Sequence, residues 1–244
     1  MIMKTTKNTF LIFVFLLASV ATNGQQIYLE AGFGDAFFED YVNDLGENTL
    51  DDTYSKAKRP FIEGGLRFDI YKERIKLVLG ANYSTYTVNT AFTSGNIKIP
   101  TTYDLSYISV KYGLNFSLLE WNQFKLQVHF HLSHDWLTAG TNKYREQVID
   151  LYKENTLDRT LLRFHRGIAL EYEISYNIAA YLNYGRANSI KEPKTDSTAN
   201  ESYSFETNSL SLGILFNILE VSKSKEKKQK SRIRAWDKRQ RIKL

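Results

Sequence analysis

The chain has no cysteine. That excludes disulfides, thiol nucleophiles, cysteine-ligated metals and a lipidated N-terminal cysteine. Proline is nearly missing, at 3 of 244 residues, which suits strands whose ladder positions need every backbone N–H. Long apolar runs are also scarce, and the mean hydropathy is only −0.38. A bundle of membrane helices is thereby excluded, but a membrane barrel is not, because barrel strands place one apolar residue in two. The apolar run that does occur, residues 10–20, is too short to span a bilayer as a helix. Lys4 and Lys7 precede it, and the small residues Ala18, Ala21 and Gly24 end it. Residues 1–24 therefore read as a secretory signal peptide, cleaved after Ala21 or Gly24.

What the chain has is aromatic residues, with 16 Tyr and 15 Phe, and a repeated two-residue period. Residues 209–218 show it best. Leu210, Leu212, Ile214, Phe216 and Ile218 share one face, and Ser209, Ser211, Gly213 and Asn217 share the other. Such alternation marks a strand with unlike faces. Eight segments follow the pattern: 26–34, 61–72, 75–88, 102–119, 124–138, 161–175, 178–188 and 203–219. The connections at 72–74, 120–123 and 176–177 are tight, whereas 35–60, 90–101, 139–160 and 189–202 are long. Short turns on one rim and long loops on the other predict an all-β fold. It is an eight-stranded antiparallel up-and-down transmembrane β-barrel with short periplasmic turns and long extracellular loops. The barrel spans 25–220 and is followed by a basic tail at 221–244.

A soluble barrel alternates too, with its apolar face inward. The glycines decide between the two. Gly32, Gly65, Gly80, Gly113, Gly167, Gly185 and Gly213 share the parity of the polar residues, and small side chains belong on the crowded concave side of a narrow barrel. The polar face is thus predicted to line the lumen. It carries Glu30, Glu63, Asp69, Glu171 and Glu173 together with Arg67, Lys76, Lys111 and Arg163. Away from bulk water such charges must pair, so a packed polar plug is expected rather than a pore. Tyr71, Trp121 and Tyr176 would form one interfacial aromatic girdle and Tyr86, Trp136 and Tyr184 the other.

Over residues 26–219 the pattern, the loop asymmetry and the closing strand resemble the small outer-membrane barrels of the OmpA/OmpX type. The resemblance implies residence in the bacterial outer membrane, with outer-membrane lipid as a partner. The basic tail departs from those barrels.

Two constellations invite chemistry. In HFHLSHD, residues 129–135, His129, His131, Ser133 and Asp135 all point inward by parity. His131 and Ser133 resemble the His-x-Ser of the PagL family of lipid A deacylases, which would make Ser133 an activated nucleophile. That family's pair faces lipid, whereas here parity turns both residues into the lumen. The carboxylate would have to be Glu146, in a loop. The expectation is a hydrogen-bonded lumen network with no catalytic residues, the lipid A-modifying enzyme being the alternative and a narrow channel the second. His129, His131 and His165 could share a zinc-type ion, but neither a metal nor any other cofactor is expected. The acidic 35–60 segment lacks EF-hand spacing.

The tail has eleven basic residues against Glu226 and Asp237, a net +9. With Lys4 and Lys7 in the leader, the chain's +5 leaves residues 25–220 at −6. The basic character therefore belongs to the tail alone. Lys227, Lys228, Lys230, Arg232, Arg234, Trp236, Lys238, Arg239 and Arg241 would meet an anionic membrane surface or an acidic periplasmic subunit. Nucleic acid is not expected as a partner of an exported chain. The function expected is a non-enzymatic outer-membrane protein with a structural or accessory role.

Overall fold

The computed structural model describes residues 25–42, 57–72, 74–94, 97–144, 147–154, 159–190 and 202–218. The leader, the basic tail and most of the 35–60 acidic segment lie outside them. The strands are β1 (Gln25–Val42), β2 (Arg59–Tyr71), β3 (Ile75–Ser94), β4 (Ile97–Trp121) and β5 (Phe124–Tyr144), then β6 (Gln147–Asp150), β7 (Thr160–Glu173), β8 (Ile178–Ser189) and β9 (Ser202–Asn217). A one-turn helix, α1 (Leu151–Glu154), follows β6.

Eight strands close into an antiparallel ring in the order β4-β3-β2-β1-β9-β8-β7-β5, and β4 pairs with β5 to seal it. Among the described residues β6 pairs only with the far end of β5. The stagger can be read from the register. Cross-strand partners run from Gln25 through Phe68, Leu77, Leu114, Phe130, Arg166, Arg186 and Asn208, and return to β1 at Asp35. A ten-residue stagger over eight strands tilts them by about 40°, the geometry of a narrow barrel whose interior is just wide enough for side chains to fill.

The tight turns follow from local chemistry. Lys72 and Asn122 adopt positive φ, at 43° and 54°. Asn tolerates that region, and the two-residue loop 122–123 joins β4 to β5. At the other turn the Arg74 amide donates to the Tyr71 carbonyl, 2.8 Å. At the closing seam the Ile218 amide donates to the Gln25 carbonyl, 2.9 Å.

In the middle of the barrel the apolar parity faces out. Leu212 is 67% exposed and Leu210 55%, whereas Arg163 is 1% exposed and Glu171 2%. That is the transmembrane arrangement, with hydrocarbon as the solvent of the outer wall. Phe68 shares the outward parity yet is buried. Tyr71, Trp121, Trp136 and Tyr184 are exposed as girdle residues should be. Tyr86 corrects the girdle reading: it points inward, its ring 5.3 Å from that of Phe205.

The strands also run further than alternation in the sequence indicates. Residues 90–101, read as a long loop, are mostly the upper ends of β3 and β4, paired from Thr90↔Thr101 to Ser94↔Ile97. Part of 139–160 is likewise strand, in β5 and β6. The reason is a change of polarity. Beyond the apolar band, Ala36, Phe38, Val88, Leu105, Tyr107, Leu137, Leu161 and Phe205 turn inward and pack together, and Leu151 of α1 joins them. A strand whose apolar face switches sides breaks the pattern that would reveal it.

Candidate functional site in the barrel lumen

The sequence-predicted charges form a column inside the barrel. Nearest the short turns, the Lys76 ammonium lies 3.6 Å from Asp69 and donates to Gln26 at 2.8 Å. Lys125, absent from the predicted set, pairs with Glu173. Above them the Arg67 guanidinium lies 3.6 Å from Glu171 and over the rings of Tyr28 and Tyr181, at 5.2 and 4.6 Å. Glu171 also ends a chain of amides. His131 Nε2 donates to Asn115 at 2.7 Å, Asn115 to Gln127 at 3.3 Å, and Gln127 to Glu171 at 3.0 Å.

The middle of the column holds two glutamates. Glu63 pairs with Lys111 and accepts from the Tyr28 hydroxyl, 2.8 Å. Glu30 accepts from Tyr181, Asn183 and Ser211. Two carboxylates thus persist in a narrow lumen because each gathers several donors. The inward glycines make room for the rings. A methyl group at Gly80 would overlap the Tyr28 hydroxyl, one at Gly213 the Tyr181 ring, and one at Gly167 the His129 ring. Between Glu30, Glu63, Lys111, His129 and His165 a cavity of about 40 Å³ remains, room for roughly two or three waters.

Toward the long loops, Arg163 donates to Asp135 at 3.1 Å and to Thr207, and reaches the Tyr86 hydroxyl at 3.3 Å. Its other contact is apolar: the guanidinium sits 5.2 Å from the Phe205 ring. Arg163 is the boundary between the polar column and an aromatic cap. In that cap Phe38 meets Tyr103 edge-on at 5.2 Å, and Tyr107 lies 5.9 Å from Phe205.

The histidine and serine residues are placed differently from the deacylase-like reading. Ser133 shares its 2.7 Å hydrogen bond with His165 on the next strand, while His131 is bonded to Asn115 and stacked on His129 at 4.9 Å. His131 and Ser133 are therefore not a nucleophile–base pair. Asp135, which shares their parity, is paired with Arg163, and both Ser133 and Asp135 are buried, away from lipid. Glu146 lies outside the described residues. Among the described residues no three His, Asp or Glu side chains converge as a metal ion needs.

Sequence reasoning singled out the charges and missed the groups that satisfy them. Tyr28, Tyr181, Asn82, Asn115, Asn183 and Gln127 all have inward parity, so a parity count of polar and aromatic residues would have found them. The aromatic cap had a weaker signal, because it requires the strands to be extended before parity is applied.

On the outer wall beyond the apolar band lies another polar group. Arg59 donates to Thr87 at 2.6 Å, Thr87 to Asp104 at 2.6 Å, and Lys143 to Asp104 at 2.9 Å. Partial burial opposes ionisation of Asp104, but the Thr87 hydroxyl, Lys143 and Arg59 together hold its carboxyl below the usual range.

No protein-family model matches the sequence, and no curated protein matches it. Solved structures do. The chain is similar to Neisserial surface protein A, at 11% identity and a TM-score of 0.47, over 80% of this chain and 97% of that one. It is similar to OprG from Pseudomonas aeruginosa, at 8% and 0.46, over 81% and 97%. A third likeness is to Ail, the attachment invasion locus protein of Yersinia pestis, at 13% and 0.41, over 80% and 100%. Identities and scores this low leave function to be argued from this chain's own residues.

Proposed function

We propose that the chain is a bacterial outer-membrane barrel, exported by its leader, with a non-enzymatic structural or accessory role. The observation that carries the reading is the lumen, occupied along its length by paired charges and closed toward the long loops by Phe38, Tyr107, Leu151 and Phe205. A wall that faces hydrocarbon around a filled interior has its surfaces for recognition at the two rims and on the outer wall. The long-loop rim faces the exterior. The tail at 221–244 lies in the periplasm, where its +9 charge suits an acidic subunit or anionic headgroups.

Fractionation and heat-modifiable gel migration test the location. Recovery in the soluble periplasm overturns it. Mild-detergent co-purification of the full chain tests the role. A partner enriched with the wild type and lost on neutralising Lys227, Lys228, Lys230, Arg232 and Arg234 supports it, and no enriched partner in either removes the accessory role. Planar-bilayer recordings are expected to show no discrete conductance.

A further inference from the structure

Five ion pairs run along the lumen: Lys125–Glu173, Lys76–Asp69, Arg67–Glu171, Lys111–Glu63 and Arg163–Asp135. A sixth lumen carboxylate, Glu30, stands in none of them. It is 5% exposed and accepts from Tyr181, Asn183 and Ser211, all neutral donors. Lys111 reaches Glu30 as well as Glu63, but it is one charge between two carboxylates. Among the described residues the lumen therefore holds one carboxylate more than its lysines and arginines match. A surplus charge shielded from bulk water is unfavourable unless something compensates it.

The surplus borders the cavity between Glu30, Glu63, Lys111, His129 and His165. A carboxylate has about four acceptor positions, and Glu30 uses three, so one is left for a further contact. His129 is 6% exposed, lines the same cavity and makes no hydrogen bond among the described residues. The Nε2 edge of its ring is turned toward Gly167 and Gly185, and Gly185 is also part of the lining. Asn82 and Asn183 line the cavity too. They donate their amide nitrogens to Glu63 and Glu30, at 3.3 and 3.0 Å, and their Oδ1 atoms are buried without a donor. Buried polar atoms are ordinarily partnered. Here lone pairs are in excess and positive charge is short by one.

We propose that this lumen cavity binds one monovalent cation, of sodium, potassium or ammonium size, against Glu30. The lone pairs available to it belong to Glu30, the Asn82 and Asn183 amides and the His129 ring. Such an ion takes about the space of one water, so the cavity accommodates it. A divalent ion would overshoot the single surplus charge, and calcium gathers roughly six to eight oxygens, more than one carboxylate and two amides supply. The bound ion completes the charge balance of the column and so stabilises the closed barrel.

The test uses the full chain, unfolded in urea and refolded in neutral detergent at one pH and one ionic strength. The salt is the chloride of choline, sodium, potassium or ammonium, and choline is too large for the cavity. The urea midpoint reads stability. At ten times its dissociation constant, an ion bound only by the folded chain raises the folding equilibrium constant about tenfold. At least one small cation is expected to show this rise over choline and to saturate. Glu30→Gln removes the surplus charge and His129→Lys supplies the missing one, so each should make the midpoint indifferent to the salt. Glu173→Gln, in the ion pair at the short turns, should keep the wild-type response. Heat-modifiable migration shows which variants fold, and either cavity variant carries the test if the other does not. Equal wild-type midpoints in choline and in every small cation overturn the site, and so does a salt response that persists in Glu30→Gln or His129→Lys. A midpoint indifferent to salt that rises as the pH falls toward about 6 gives the missing charge to a proton on His129 and overturns the ion. The outer-membrane location stands or falls separately, by fractionation.

Discussion

The two ends of one strand obey opposite rules. In the middle of β9, Leu210, Leu212 and Ile214 face out and Ser211 is buried. Nearer its start, Phe205 is fully buried and Glu206 lies on the outward parity with Arg186. β5 does the same, with Phe130 outside and His131 inside, then Leu137 inside and Thr138 outside. Period-two geometry is common to both regions, so the polarity of each face reports the surrounding solvent. Where the wall meets hydrocarbon the polar side chains retreat inward. Where it meets water the apolar ones do. Arg163 stands at the changeover, ion-paired to Asp135 and stacked near Phe205 on the long-loop side.

The boundary residue should be the most sensitive to change. Arg163→Met leaves Asp135 buried without its cation, and the expected loss is about 3–5 kcal/mol in urea unfolding from detergent. A loss under about 1 kcal/mol would place the boundary elsewhere. Next, the outer wall distinguishes its two solvents. Leu212→Arg should cost about 2–4 kcal/mol in refolding into bilayers. Thr138→Arg, beyond the band, should stay within about 0.5 kcal/mol. Equal costs at the two positions would erase the distinction between the regions. In the cap, Phe205→Leu should cost roughly 1–2 kcal/mol by leaving a partly filled hole and leave bilayer conductance at zero, because the charge column below still fills the lumen.

The smallest effect is at Asp104. Its folded carboxyl titrates below its unfolded value of about 3.9, so its contribution is complete above that value and fades as pH falls through the folded one. The unfolding midpoint of Asp104→Asn should therefore match the acid-treated wild type and show a shallower acid limb below about pH 4. Because Arg59 and Lys143 are about half exposed, with side chains 48% and 54% accessible, the difference should shrink as salt is added.

The barrel was legible because a membrane wall enforces one rule on every strand. Ile27 and Leu29 of β1 or Leu212 and Ile214 of β9 identify the lipid face without knowledge of any neighbour. The lumen was half legible. Parity put Glu30 and Arg67 inside, but pairing depends on how the closed ring faces itself, and Arg67 of β2 meets Glu171 of β7 across the lumen. The His131–Ser133 reading failed for the same reason: two residues on one strand are neighbours in sequence, while Ser133's hydrogen-bond partner, His165, comes from the adjacent strand. The 90–101 loop was misread because its strands lie where apolar side chains turn inward.

By itself the sequence determined a ring of two-faced strands with a greasy exterior, since alternation and glycine parity are local properties of the chain. The tertiary structure decided what faces what: the ten-residue stagger, the Arg163 boundary, and the ion pairs that leave Glu30 over. Those depend on which strand lies beside which and at what offset, and side chains far apart in sequence become partners only once the ring has closed.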